Sequence, residues 1–203
     1  LTRFVLIRHG QTGWNKEARF RGRIDIDLDE TGMRQAEAVA ARLAHCEATA
    51  VYSSPLKRAM ATAEPISRHL SLQVVPLEGI NDMNFGNWEG RSIDDVKEQN
   101  KELFDLWRYS PDKLSIPGGE TLDDVRRRVA ATVDDLAVKH ENDTVLLVTH
   151  RVVCKVLLCH LLGLDNSHFW QIAQDTTAVN RFQVVGGRST VTLINDTCHL
   201  RGI

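Results

Sequence analysis

The sequence predicts an α/β fold: a three-layer α/β/α sandwich around a mostly parallel sheet, with an antiparallel hairpin at its C-terminal edge. Three observations carry that reading. Two fully apolar runs, Phe4-Val5-Leu6-Ile7 and Val145-Leu146-Leu147-Val148, have the length and composition of buried strands, and each stops at a polar loop. Between them, strand patterns alternate with segments of helical spacing. Near the end, the strand patterns at 179–185 and 190–194 flank Gly186-Gly187, the signal of a tight hairpin.

After the first strand, Thr31 is expected to cap a helix whose apolar stripe carries Met33, Ala36, Ala40, Leu43 and Ala44. A strand follows at about 50–53. Ser54-Pro55 reads as an N-cap with proline at the first helical position, opening a helix to about residue 69 with Met60, Ala63 and Ile66 on one face. Residues 74–77 form a third strand candidate. Beyond the loop 81–90, two helices are expected, opened by Ser92 with Asp95 and by Thr121 with Asp124, the capping-box spacing with Asp in place of Glu. In the second, Leu122, Val125, Val129, Val133 and Leu136 form the stripe, and Arg126, Arg127 and Arg128 are assigned to a solvated face. The second apolar strand empties into Thr149-His150 and a helix carrying Val153, Val156, Leu157 and Leu161. No repeat or linker interrupts the pattern, so residues 1–203 are read as one domain.

A chain of 203 residues with 42% hydrophobic and 26% charged residues has the composition of a globular domain. At that length it buries about 70% of its unfolded surface and needs neither a disulfide nor a structural metal. The net charge of −2 offers no basic surplus, which argues against nucleic acid or an anionic membrane as partner. Cys46, Cys154, Cys159 and Cys198 lack CxxC spacing, and no apolar run approaches the roughly 20 residues of a membrane span. The chain opens on a strand pattern with no charged leader, so a reduced cytoplasmic setting is expected.

Both apolar strands end in histidine, His9 and His150, and in open parallel sheets the ligand crevice lies outside the carboxyl ends of the strands. Arg58, in the first turn of the helix after Ser54-Pro55, brings a guanidinium to a helix N-terminus that already favours an anion. Arg8 lies beside His9. Taken singly, a strand-end histidine is most often structural and a first-turn arginine solvated; together they describe a pocket for a phosphoryl group, whose oxygens pair bidentately with guanidinium. A metal is the rival reading, but adjacent arginines repel a cation and no HxH or HExxH pair occurs.

These residues carry a resemblance. Arg8-His9-Gly10-Gln11-Thr12-Gly13-Trp14-Asn15 resembles the RHGxTxWN signature of the histidine phosphatase superfamily, the phosphoglycerate-mutase-like proteins. Ser53-Ser54-Pro55-Leu56-Lys57-Arg58-Ala59 with Thr62-Ala63, then Phe85-Gly86-Asn87-Trp88-Glu89-Gly90, then Pro117-Gly118-Gly119-Glu120, and finally Val148-Thr149-His150 resemble further segments of that family, in its order and across the whole chain.

The resemblance implies a phosphohistidine mechanism without metal or cofactor. In it His9 is the nucleophile, Arg8, Arg58 and His150 hold the equatorial oxygens, and Asn15 adds a neutral donor. The family's acid stands four residues before the FG glycine, usually as Glu; that position is Asp82 here, with Glu89 the weaker alternative. Arg21 lies where relatives often carry Gln, and Arg151 where many have Gly; facing the pocket, Arg21 would bind a second anionic group of the substrate. The tail 195–200 is similar to that of the family's metal-independent phosphoserine phosphatases, which implies a place for His199 near the substrate; α-ribazole phosphatases are also similar. The implied activity is hydrolysis of a small phosphomonoester, phosphoserine or another acidic one, by a histidine-type acid phosphatase. A phosphoglycerate mutase is the alternative, disfavoured because only about 27 residues separate Gly90 from Pro117 where mutases carry a larger insertion. A metal-dependent hydrolase and a non-catalytic phosphate-binding module are the rivals from other classes. The resemblance also leaves room for a homodimer.

Overall fold

A computed structural model describes residues 1–202; Ile203, the last residue of the span read as one domain, lies outside the described residues. Strands β1 (Thr2–Arg8), β2 (Ala50–Ser53), β3 (Val74–Pro76) and β4 (Thr144–Thr149) run parallel. The hairpin β5 (Val179–Val185) and β6 (Arg188–Asp196) joins them antiparallel, giving the order β3-β2-β4-β1-β5-β6. The predicted α/β class, the mostly parallel sheet and the edge hairpin are all present.

Seven α-helices occur among the described residues: α1 (Gly13–Lys16), α2 (Glu30–Leu43), α3 (Lys57–Leu70), α4 (Ile93–Gln99), α5 (Lys101–Tyr109), α6 (Leu122–Lys139) and α7 (Arg151–Leu161). Because successive strand residues point to opposite faces, β1 and β4 feed two cores at once. Phe4, Leu6, Val145 and Leu147 pack with Val125 and Val129 of α6 and Val156 of α7. Val5, Ile7, Leu146 and Val148 pack with Val39 and Leu43 of α2 and Ala63 and Ile66 of α3. Helices on both faces make the three layers.

Several boundaries differ from the sequence reading, each for a local reason. Asp29, not Thr31, caps α2: its extended backbone lets Oδ1 accept from the Gly32 amide at 2.8 Å. The buried stripe is Gly32, Ala36, Val39, Ala40 and Leu43, so Met33 turns outward and is 54% exposed. Helix α3 begins at Lys57 rather than after Ser54, whose hydroxyl is spent on Asn81 and His150 instead of a cap. Helix α5 was not anticipated. It follows α4 directly through Asn100, with no side-chain cap to announce it, and buries Phe104 and Trp107. The Thr121–Asp124 capping box of α6 forms in both directions.

Candidate active site

Parallel pairing of β1 with β4 sets Arg8 opposite Thr149, so the next residues, His9 and His150, leave the sheet side by side with ring centroids 5.2 Å apart. The His9 amide donates to the Thr149 carbonyl at 2.8 Å, and the His9 carbonyl accepts from the Thr177 amide at 3.3 Å, so the backbone of this histidine is fixed by the end of β4 and by the segment entering β5. Nδ1 of His9 lies 2.6 Å from the Gly10 carbonyl, which accepts and cannot donate; the ring proton therefore sits on Nδ1, and Nε2, which makes no hydrogen bond, presents its lone pair. Burial, then the charge of Arg58, lowers His9 well below its ordinary value of 6.5, and the same two causes act on His150. Both rings are neutral at pH 7.

The glycine after β1 lets helix α2 approach this loop. A Cβ on Gly32 would stand 2.0 Å from the Gln11 carbonyl oxygen, which no side chain tolerates, so α2 can dock its first turn here only with glycine at that position. Arg58, wholly buried near the start of α3, commits its terminal nitrogens to the carbonyls of Ile24 (2.9 Å) and Gly22 (2.7 Å) and to Asp82 Oδ2 (3.0 Å), leaving Nε without a partner. Gly22 holds φ +52°, a conformation that glycine reaches freely, and its carbonyl is thereby turned to Arg58. Arg8 donates from one terminal nitrogen to the Gln174 carbonyl at 2.7 Å, and its Nε is also unpartnered. Burial, then repulsion from Arg21 and Arg151, lowers the Arg8 guanidinium to about 9.

Asp82 is 5% exposed and stands between Arg58 and His150, whose Nδ1 is 3.5 Å from Oδ2. Glu89 is occupied elsewhere: Oε1 accepts from the Arg23 and Phe85 amides at 2.9 and 3.0 Å and closes the turn that holds them. Asn15 turns its Oδ1 to the Thr12 amide and hydroxyl, both at 2.9 Å. Arg21 faces the pocket, with NH1 3.5 Å from the Thr12 hydroxyl and Nε buried without a partner; burial lowers it to about 10. Arg151 lays its guanidinium 5.3 Å from the Trp170 ring. His199 is placed behind the nucleophile's backbone, with Nε2 3.1 Å from Thr177 Oγ1 and Nδ1 3.2 Å from Arg42. It does not line the cleft beside Asp82.

Sequence reasoning missed two features, a support and a cleft. Arg128 is not a solvated residue: it donates to the carbonyls of Gly79, Asn81 and Asp82 at 2.7–3.1 Å and pairs with Glu120 at 2.8 Å. Glu120 also accepts from the Asn84 amide and from Arg23, and Arg23 in turn reaches the Asp82 carbonyl. Helix α6 and the turn of Glu120 thus clamp the loop that carries Asp82. The glutamate lay within a quoted motif, whereas nothing in the spacing of α6 marks Arg128. The second miss is a cleft of about 210 Å³ that opens beside Asp82, walled by Phe20, Phe85, Phe104, Trp107, Phe169 and Trp170.

Comparison with known proteins agrees with this geometry. Residues 4–197 match the histidine phosphatase superfamily (branch 1). The chain is 34% identical over 200 residues to phosphoserine phosphatase 1 of Hydrogenobacter thermophilus, covering 98% of this chain and 95% of the relative. Among solved structures, Bacillus stearothermophilus YhfR superposes with a TM-score of 0.95 at 32% identity, covering 98% of this chain and 99% of that one. An Entamoeba histolytica phosphoserine phosphatase mutant in complex with phosphoserine superposes with a TM-score of 0.84 at 28% identity, covering 98% and 100%. With two strand-end histidines, two buried arginines and a carboxylate gathered at the carboxyl ends of the central strands, and with family-wide similarity across almost its whole length, the chain belongs to the histidine phosphatase superfamily and is a phosphatase.

Proposed function

We propose that the protein is a metal-independent phosphomonoesterase acting through phospho-His9 on a small phosphorylated metabolite with a second anionic group. Phosphoserine is one compound of that class. The observation that supports this best is the state of His9: a neutral ring whose Nδ1 proton is held by the Gly10 carbonyl and whose Nε2 lone pair is free and buried among guanidiniums.

In the first step Nε2 attacks phosphorus, the P–O ester bond breaks, and the departing oxygen takes the proton of Asp82. Arg8 and Arg58 offer the equatorial oxygens the guanidinium nitrogens they have not committed, Nε among them in both cases. We assign His150, whose Nε2 lies 2.7 Å from the Ser54 hydroxyl and whose Nδ1 makes no hydrogen bond, to the same phosphoryl pocket. In the second step water attacks phosphorus while Asp82 takes its proton, the P–N bond breaks with its electron pair returning to Nε2, and phosphate leaves with His9 and Asp82 restored. Guanidiniums supply the positive charge that a metal supplies in other phosphatases. We assign Asn15 and Arg21 to substrate binding, and His199 to the support of Thr177.

His9→Ala is expected to abolish turnover of p-nitrophenyl phosphate with the circular dichroism spectrum unchanged. Rapid-quench trapping of the unmodified enzyme should give an acid-labile, base-stable phosphoenzyme, and EDTA should leave the rate as it was. Full activity of the variant, or loss in EDTA reversed by a divalent ion, would overturn the mechanism.

A further inference from the structure

The cleft beside Asp82 has walls unlike those that a small zwitterionic alcohol needs. Six aromatic side chains form a chamber of about 210 Å³. A cavity of about 150 Å³ already takes a benzene ring, so this one has room for a ring and its substituent. Helix α5 supplies the far wall: Trp107 stands at 5.2 Å from Trp170, whose indole N–H donates to the Trp107 carbonyl at 2.6 Å. The polar groups on the walls are strongly one-sided. Arg19, Arg21, Arg108 and Arg151 line the chamber against one carboxylate, Asp82. Arg19 is paired with Glu17 at 2.8 Å, whereas Arg21, Arg108 and Arg151 form no direct ion pair with a carboxylate among the described residues. The near end of the chamber is Asp82 and Arg21, which places it where the leaving group of a phosphoryl transfer to His9 must lie.

We infer that this chamber is the leaving-group subsite and that it selects the phosphomonoester of a ring-bearing alcohol that carries a carboxylate and no amino group. The inference rests on the phosphohistidine reading above and narrows its substrate class. An aromatic ring gains stacking and apolar burial from the six walls. A carboxylate at its far end meets unpaired guanidiniums that pair with it bidentately. An ammonium in the same place meets like charge, and the one acid on the walls, Asp82, lies at the near end against Arg58, so the amino group of phosphoserine counts against it.

The test compares kcat/KM for benzyl phosphate, 4-carboxybenzyl phosphate, 4-(aminomethyl)benzyl phosphate and phosphoserine. All four release primary alkoxides, so leaving-group acidity is nearly matched and the subsite is read alone. The carboxylated ester is expected to exceed benzyl phosphate about tenfold, the yield of one charge-assisted pair, and to exceed both amino compounds by about a hundredfold. In the double variant Arg108→Gln, Arg151→Gln, at two exposed positions on the lip, the ratio of the carboxylated to the plain ester is expected to fall below about threefold. Phosphoserine turned over as well as the carboxylated ester would overturn the inference, and so would a ratio unmoved by the double variant. Failure to hydrolyse even p-nitrophenyl phosphate would instead remove the phosphohistidine reading on which the inference stands.

Discussion

Asp82 and Glu89 show how position decides what a carboxylate does. Both lie in the loop that the sequence marks as the acid region, but Glu89 accepts two backbone amides and holds a turn, while Asp82 Oδ2 faces Arg58 and His150. The sequence could rank the two by motif spacing alone; the amides that occupy Glu89 come from residues 23 and 85, a pairing that no local pattern announces. Asp82→Asn keeps the shape and removes the proton. It should slow benzyl phosphate about a hundredfold or more and p-nitrophenyl phosphate less than tenfold, because nitrophenolate leaves with little protonation. Values of kcat/KM on the two esters, which read the phosphorylation step and not the hydrolysis of phospho-His9 common to both, check this, and equal slowing would reassign the acid. The same substitution disturbs the 3.0 Å contact of Asp82 with the buried Arg58 guanidinium, so a lower melting temperature is also expected.

At the scale of elements, α6 does more than cover the sheet. Its Arg128 reaches across to three carbonyls of the acid loop and to Glu120, fixing the loop from outside. Arg128→Met preserves the bulk of the stem and removes the clamp. We expect kcat/KM on alkyl phosphates to fall about ten- to a hundredfold, with a much smaller loss on p-nitrophenyl phosphate and partial recovery in Arg128→Lys, since displacement of an acid by about 1 Å costs on that order. A uniform loss on both esters would mark Arg128 as merely structural. Sequence reading placed α6 correctly because Leu122, Val125, Val129, Val133 and Leu136 repeat at helical spacing, and it found the capping box for the same reason: both are local signals. It misassigned Arg128 because an exposed-face register predicts solvent unless another segment covers it, and the covering loop is more than 40 residues away in sequence. The end of β2 was misread similarly. Ser54-Pro55 has the chemistry of a helix start, yet Ser54 is drawn to His150, a partner 96 positions distant.

For the whole molecule, the site sets how stability depends on acidity. His9 and His150 are buried with pKa values well below the ordinary 6.5, so below that pH the unfolded chain binds protons that the folded chain does not. Stability is then lost as pH falls, by roughly 1.4 kcal/mol per pH unit for each histidine. Lys155, buried against Phe169 and Trp170 and lowered to about 7, extends the trend upward: between about 7 and its ordinary 10.5 the unfolded chain again holds the extra proton. Urea midpoints are expected to rise steadily from pH 5 to pH 8, and to rise less in His9→Asn; a maximum near pH 5.5 would contradict this account. The sheet order has a different kind of consequence. The nucleophile directly follows β1, held at both of its backbone polar groups by the end of β4 and by the segment entering β5, whereas the acid and the aromatic wall hang on loops and on α5, tied down by side chains. The two halves of the reaction are therefore anchored in materials of different plasticity. Phosphoryl capture is written into the sheet, where any change propagates through neighbouring strands, while the choice of alcohol is written into replaceable side chains. Divergence toward a new substrate can run along that seam without reopening the problem of how to hold a phosphate.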